Sequence, residues 1–146
     1  MFRPRTISKL AITPPIAQTD RSGLAICLIV RNEATHIGEW IDFHLKAGVS
    51  HFVIYDNGCT DDTIATAQAH LTAAQCAVIP WDQKLTDGRS GAEIHNQVLA
   101  YAHALRNFGP RFRWMAFIDV DEFIIPTTAA SSTSSSRSSS ASKSLG

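Results

Sequence analysis

Cysteine is scarce in this chain. Cys27, Cys59 and Cys76 are odd in number and form no CxxC. Neither a disulfide framework nor a zinc site is signalled, and reduced thiols fit a cytoplasmic protein. An excess of one charge is missing as well. Thirteen basic residues balance thirteen acidic ones, so no net field draws the chain to nucleic acid or to an anionic membrane. The basic residues of the central part are scattered, without aromatic interleaving. The longest apolar run, "LAICLIV", is far too short to span a bilayer, and no transmembrane segment is expected. The preceding "MFRPRTISKLAITPPIAQTD" lacks the continuous apolar stretch of a secretory signal. No GxGxxG follows the first apolar run, which argues against a dinucleotide oxidoreductase.

What is present divides the chain in three. Residues 1–23 are weakly patterned and interrupted by Pro4, Pro14 and Pro15, so they read as a poorly ordered extension. Residues 127–146 end in "AASSTSSSRSSSASKSLG", which has too little apolar surface to offset its ordering entropy and is expected to be disordered. Residues 24–126 carry the pattern of a folded domain.

Within 24–126, "LAICLIVR" is a continuous apolar run of strand length, as expected for a strand covered on both faces. Ile37, Trp40, Ile41 and Leu45 follow at helical spacing, with Gly48 placed to end that helix. "HFVIYD" predicts a second strand and "NGCTDD" a turn. Thr60 or Asp61 can cap a helix whose inner face holds Ile64, Ala67 and Leu71. "CAVIPW" predicts a third strand. A third helix is expected to carry Ile94, Val98, Tyr101, Ala102 and Leu105, and "WMAFID" a fourth strand. Strands alternating with helices predict an α/β protein with a Rossmann-like parallel sheet and flanking helices.

In open parallel sheets, ligands sit beyond the carboxyl ends of the strands. Those ends hold Arg31, Asn32 and Glu33; Asp56 and Asn57; Trp81 and Asp82; and Asp119, Asp121 and Glu122. The last group lies in "AFIDVDEFIIP", where apolar flanks imply a semi-buried site and an unpaired charge would be costly. Hard divalent cations want oxygen ligands and bind through one or two carboxylates plus substrate phosphates. Asp121 is the candidate metal ligand. Asp119 is a partner to a ribose or a support behind the metal ligand. Taken alone, however, the triplet is a weak signal and reads first as a solvated strand end. Glu122 can pair with Arg113 or serve as a ligand. Arg31 and Glu33 are candidates to lie beside a nucleotide, although Glu33 also suits a helix N-terminus. Asp56 could accept from a pyrimidine N–H. The six histidines show no metal-ligand spacing and read as surface or helix residues.

"ICLIVRNEATHIGEWIDFHLKAGVSHFVIYDNGCTDDT" together with "RWMAFIDVDEFIIP" resembles the nucleotide-sugar-binding half of a GT-A glycosyltransferase, in the family 2 and family 92-like group. The likeness runs from about Ile26 to Pro126, with Cys59 standing where a serine is usual and Asn96 where asparagine is frequent. The resemblance implies that Arg31, Glu33, Asp56, Asn57 and Asp119 contact the nucleotide, and that Asp119 and Asp121 hold Mn2+ or Mg2+. It implies a nucleotide-diphosphate sugar donor, a UDP-sugar first, and an unnamed acceptor such as a glycan. The likeness stops at Pro126, ahead of the acceptor half and catalytic base. The expectation is an incomplete domain, from a truncated, frame-shifted or degenerate copy. Two other readings remain open: a catalytically silent nucleotide- or metal-binding remnant, and a magnesium-dependent phosphohydrolase, since "FIDVDEF" is similar to the haloacid dehalogenase nucleophile strand.

Overall fold

Seven consecutive apolar residues, Leu24–Val30, form β1, and both faces of this strand are covered. In the computed structural model, which describes residues 6–127, it is followed by α1 (Ile37–Lys46), β2 (His51–Asp56), α2 (Thr63–His70) and β3 (Cys76–Pro80). Short β4 (Leu85–Thr86) and β5 (Glu93–Ile94), α3 (Asn96–Asn107) and β6 (Trp114–Phe117) complete the order. The main sheet runs β3-β2-β1-β6, and every pair in it is parallel. The α/β class with flanking helices is therefore as the alternation predicts.

The period of two along the strands sorts the core into two layers. Ile26, Leu28, Val30, Phe52 and Ile54 pack with Ile37, Trp40 and Ile41 of α1 and Ala67 of α2. Cys27, Val53 and Tyr55 face Ala100 and Ala104 of α3 on the other side. In α1 the buried positions Ile37, Trp40, Ile41 and His44 fall three or four apart, one stripe of a helix. Gly48 follows that helix at φ 102°, the left-handed position that ends a helix at little cost in glycine. Gly38 is a contact point: a Cβ there would lie 2.8 Å from Nε2 of His70, so a larger residue would displace that imidazole at the α1–α2 contact.

Several boundaries differ from those the pattern predicts. Ile94 lies in β5, and α3 starts at Asn96 after His95. The cause is a partner remote in sequence. Ile7 N–H donates to Glu93 O (2.8 Å) and His95 N–H to Ile7 O (2.8 Å), which holds Ile94 extended. Leu71 is the extended residue that ends α2, and Asp62 precedes that helix without a side-chain cap. Asp61 instead accepts from Thr63 N–H at 3.0 Å. The N-terminal stretch lies against the body through Gln18 N–H to Pro110 O, Ser22 N–H to Arg111 O and Arg106 to Thr13 O. The serine-rich tail from residue 128 onward lies outside the described residues. Among the described residues no helix is long and apolar enough to cross a membrane.

Two histidines are buried, His44 and His51. Burial lowers the pKa of both, and the charge of Arg111 adds to the effect at His51. The unfolded chain then binds protons that the folded chain refuses. Stability is full above the ordinary histidine value of 6.5 and is lost as pH falls through it. The unfolding free energy is expected to be smaller at pH 5.5 than at pH 7.5. Urea titrations at the two pH values check this, and equal midpoints would contradict it.

Candidate functional site

The loops leaving β1 and β2 are cross-linked at the carboxyl edge of the sheet. Asn32 adopts φ 54°, a left-handed conformation that asparagine tolerates better than most residues. Its Oδ1 accepts from Thr60 N–H (2.8 Å), Thr60 Oγ1–H (3.3 Å) and Asp61 N–H (3.3 Å). In return Thr63 Oγ1 accepts from Glu33 N–H (2.7 Å), and Asp61 accepts from Ala34 N–H (3.3 Å). The hydroxyl of Thr63 also bonds Asp61, and these bonds hold the Asp61 carboxyl below the usual carboxylate range. Asn32, which the sequence reading named only as a strand-end residue, thus fixes Arg31 and Glu33 in place. The signal for it was its occurrence directly after a strand, where a turn to positive φ begins.

After β2, Asp56 Oδ1 accepts from Cys59 N–H (2.8 Å), an Asx-type turn. Cys59 reaches Val30 O through its thiol at 3.6 Å, so the thiol serves where a serine hydroxyl would. Asn96 Nδ2 donates to Asn57 Oδ1 (3.1 Å) and to Trp81 O (2.7 Å), tying the ends of β2 and β3 to the start of α3.

Strand β6 ends at Phe117, and its three carboxylates follow it in a turn. Glu122 N–H donates to Asp119 O (3.0 Å), while Glu122 Oε2 accepts from Asp119 N–H (2.7 Å). Glu122 therefore closes its own turn, and among the described residues it makes no ion pair with Arg113. The semi-buried setting expected for the triplet is also corrected: Asp119, Asp121 and Glu122 are all exposed. Apolar neighbours in sequence misled because the chain bends here, turning the carboxylates outward while Ile118, Val120 and Ile124 pack inward on the core. Asp119 accepts weakly from Gln97 Nε2 at 3.4 Å. Partial burial, then the charges of Glu122 and Asp121, raise its pKa.

A cavity of about 590 Å3 opens at this edge, lined by Arg31, Glu33, Trp40, Asp119, Asp121 and Phe123 among others. A second, of about 430 Å3, is lined by Arg31, Asn57, Asp82, Lys84 and Asn96. Of the residues nominated from sequence, Arg31, Glu33, Asp119 and Asp121 share the first cavity, and Asn57 joins Arg31 in the second. Asp56 lines neither, its carboxylate being engaged by the turn. Among the described residues no three His, Cys, Asp or Glu side chains converge as a metal-ligand set.

The larger cavity opens at the carboxyl edge of the parallel sheet, where open α/β folds place their ligands. The sequence profile of glycosyltransferase family 92 matches residues 22–145, past the point at Pro126 where the motif likeness stops. The chain belongs to glycosyltransferase family 92. It is similar to a family 92 protein of Ricinus communis, 30% identical over 71% of this chain and 17% of that protein. A family 92 protein of Oryza sativa subsp. japonica is 29% identical over 69% of this chain and 16% of its own length. A galactan beta-1,4-galactosyltransferase of Arabidopsis thaliana is 33% identical over 66% of this chain and 19% of its own length. The chain thus spans less than a fifth of the length of each of these curated relatives.

Proposed function

We propose that this chain is the donor-binding part of a glycosyltransferase of GT-A type, which takes a nucleotide-diphosphate sugar, a UDP-sugar first, with Mn2+ or Mg2+. The observation that carries the reading is the convergence of Arg31, Glu33, Asp119 and Asp121 on one cavity at the carboxyl edge of the sheet. The likeness to a galactan galactosyltransferase supports a glycan as acceptor.

The donor set suits a hard divalent cation. One or two exposed carboxylates are what such an ion accepts when phosphate oxygens and water complete its shell. Asp121 would hold the ion, with Asp119 as second ligand. Burial first, and then the negative charges of Glu122 and Asp121, raise the pKa of Asp119, and a cation would offset the second cause. When bound, the ion supplies Lewis-acid neutralisation of charge on the leaving diphosphate. Arg31, between the two cavities, offers a guanidinium to phosphate or base, and its loop is held by Asn32. Glu33, which lines the first cavity, would accept from donor hydroxyls, and Asn57 in the neighbouring cavity would meet the nucleoside.

Calorimetric titration of UDP into the chain, with and without Mn2+, tests the reading. Binding at least about tenfold tighter with the metal is expected, since phosphate and carboxylate share the ion. Equal affinity with and without metal would contradict it.

A further inference from the structure

The acidic turn stands where β6 has ended, so no sheet ladder holds the residues that follow it. After Ile118 N–H reaches Cys27 O at 3.3 Å, the next main-chain anchors on the core come from two side chains of α1. Trp40 Nε1–H donates to Glu122 O at 2.7 Å. Ile124 N–H donates to His44 Nε2 at 3.1 Å. Phe123, between these two bonds, stacks on the His44 ring at 5.7 Å and 13° and meets Phe43 edge-on at 5.0 Å. Trp40 and His44 are four residues apart, on one helical face, and their rings lie 4.5 Å apart.

His44 is wholly buried, yet both ring nitrogens are used. Nδ1–H donates to Trp40 O at 2.8 Å, which leaves Nε2 bare to accept from Ile124. A leucine would fill the same space without needing either bond. The imidazole is distinguished by the acceptor it presents to the chain just beyond the acidic turn. That turn gathers three exposed carboxylates, Asp119, Asp121 and Glu122, within four residues, and like charges so close repel. Such a cluster tends to splay unless its backbone is fixed from outside.

We propose that Trp40 and His44 are positioning residues: they clamp Glu122 and Ile124 to α1 and so hold Asp119 and Asp121 in binding geometry before any ligand arrives. The inference rests on the reading of this turn as the metal- and diphosphate-binding element. Its consequence is preorganisation, because ligand binding need not supply the ordering of the turn.

The test combines hydrogen–deuterium exchange across residues 118–126 with Mn2+·UDP titration of the full chain and three variants. In Trp40→Phe and His44→Ala, amides of the turn should lose markedly more protection than those of β1 and β2, which share only the loss of global stability. Mn2+·UDP affinity should drop roughly tenfold, the scale of losing one buried bond. His44→Gln places an amide oxygen near the site of Nε2 and should restore protection and affinity to within about threefold of wild type. Unchanged exchange and affinity in Trp40→Phe and His44→Ala would overturn the proposal. So would a loss spread equally over β1 and β2 and not restored by glutamine, which marks a merely structural role. If wild type itself binds no Mn2+·UDP, the functional reading fails separately. Exchange then decides alone: loosening confined to the turn and reversed by glutamine upholds the clamp, and unchanged exchange overturns it.

Discussion

Trp40→Ala is expected to remove most of the stability of this chain. Trp40 is 1% exposed, packs edge-on against Phe52 at 5.9 Å, and joins α1 to the sheet. Truncating a buried tryptophan costs about 3–5 kcal/mol through lost transfer energy and the cavity left behind. The Glu122 carbonyl loses its donor at the same time, and an orphaned part-buried acceptor adds about 1 kcal/mol or more. Against a total of about 5–15 kcal/mol for an ordinary domain, the sum is a large share. Urea unfolding followed by circular dichroism measures it. A loss below about 1 kcal/mol would show that the core closes around the gap, which these packed neighbours do not favour. Trp40→Phe, used for the clamp, is the milder partner: it keeps a ring in the core and removes the N–H.

Asp121→Ala is expected to act in the opposite way, removing binding and sparing the fold. Asp121 is exposed, lines the larger cavity and packs nothing into the core. Loss of a group that merely supports a metal ligand weakens affinity by roughly 10–100-fold, so loss of the ligand itself should reach about a hundredfold. Metal-free UDP binding should stay as it was, and so should the melting temperature. Arg31→Ala should weaken UDP with and without Mn2+ alike, because its guanidinium meets the ligand and not the ion. Metal-dependent binding that survives in Asp121→Ala would move the ion to another group.

Much of this architecture was legible in the residues, for local reasons. The run Leu24–Val30, the helical stripe of Ile37, Trp40 and Ile41, and "HFVIYD" each declare their element without tertiary help. The carboxyl-edge rule then named the loops around the cavity, and Arg31, Glu33, Asp119 and Asp121 do meet there. What escaped depends on contacts across the chain. Ile94 is held extended by Ile7, a pairing without local signature. Asn32 reveals its role only when the loop after β2 lies against it. His44 reads as one more helix histidine until Ile124 is seen to need its acceptor. The burial of the acidic triplet was misjudged because apolar neighbours in sequence say nothing about where a strand stops and turns.

Crystals grown with Mn2+ and UDP, with diffraction recorded at the manganese absorption edge, locate the ion by its anomalous scattering. An ion is expected about 2.1 Å from an Asp121 carboxylate oxygen, touching the UDP diphosphate, with Arg31 lining the same cavity. Manganese bound away from Asp119 and Asp121, or UDP seated elsewhere on the sheet, would contradict this expectation.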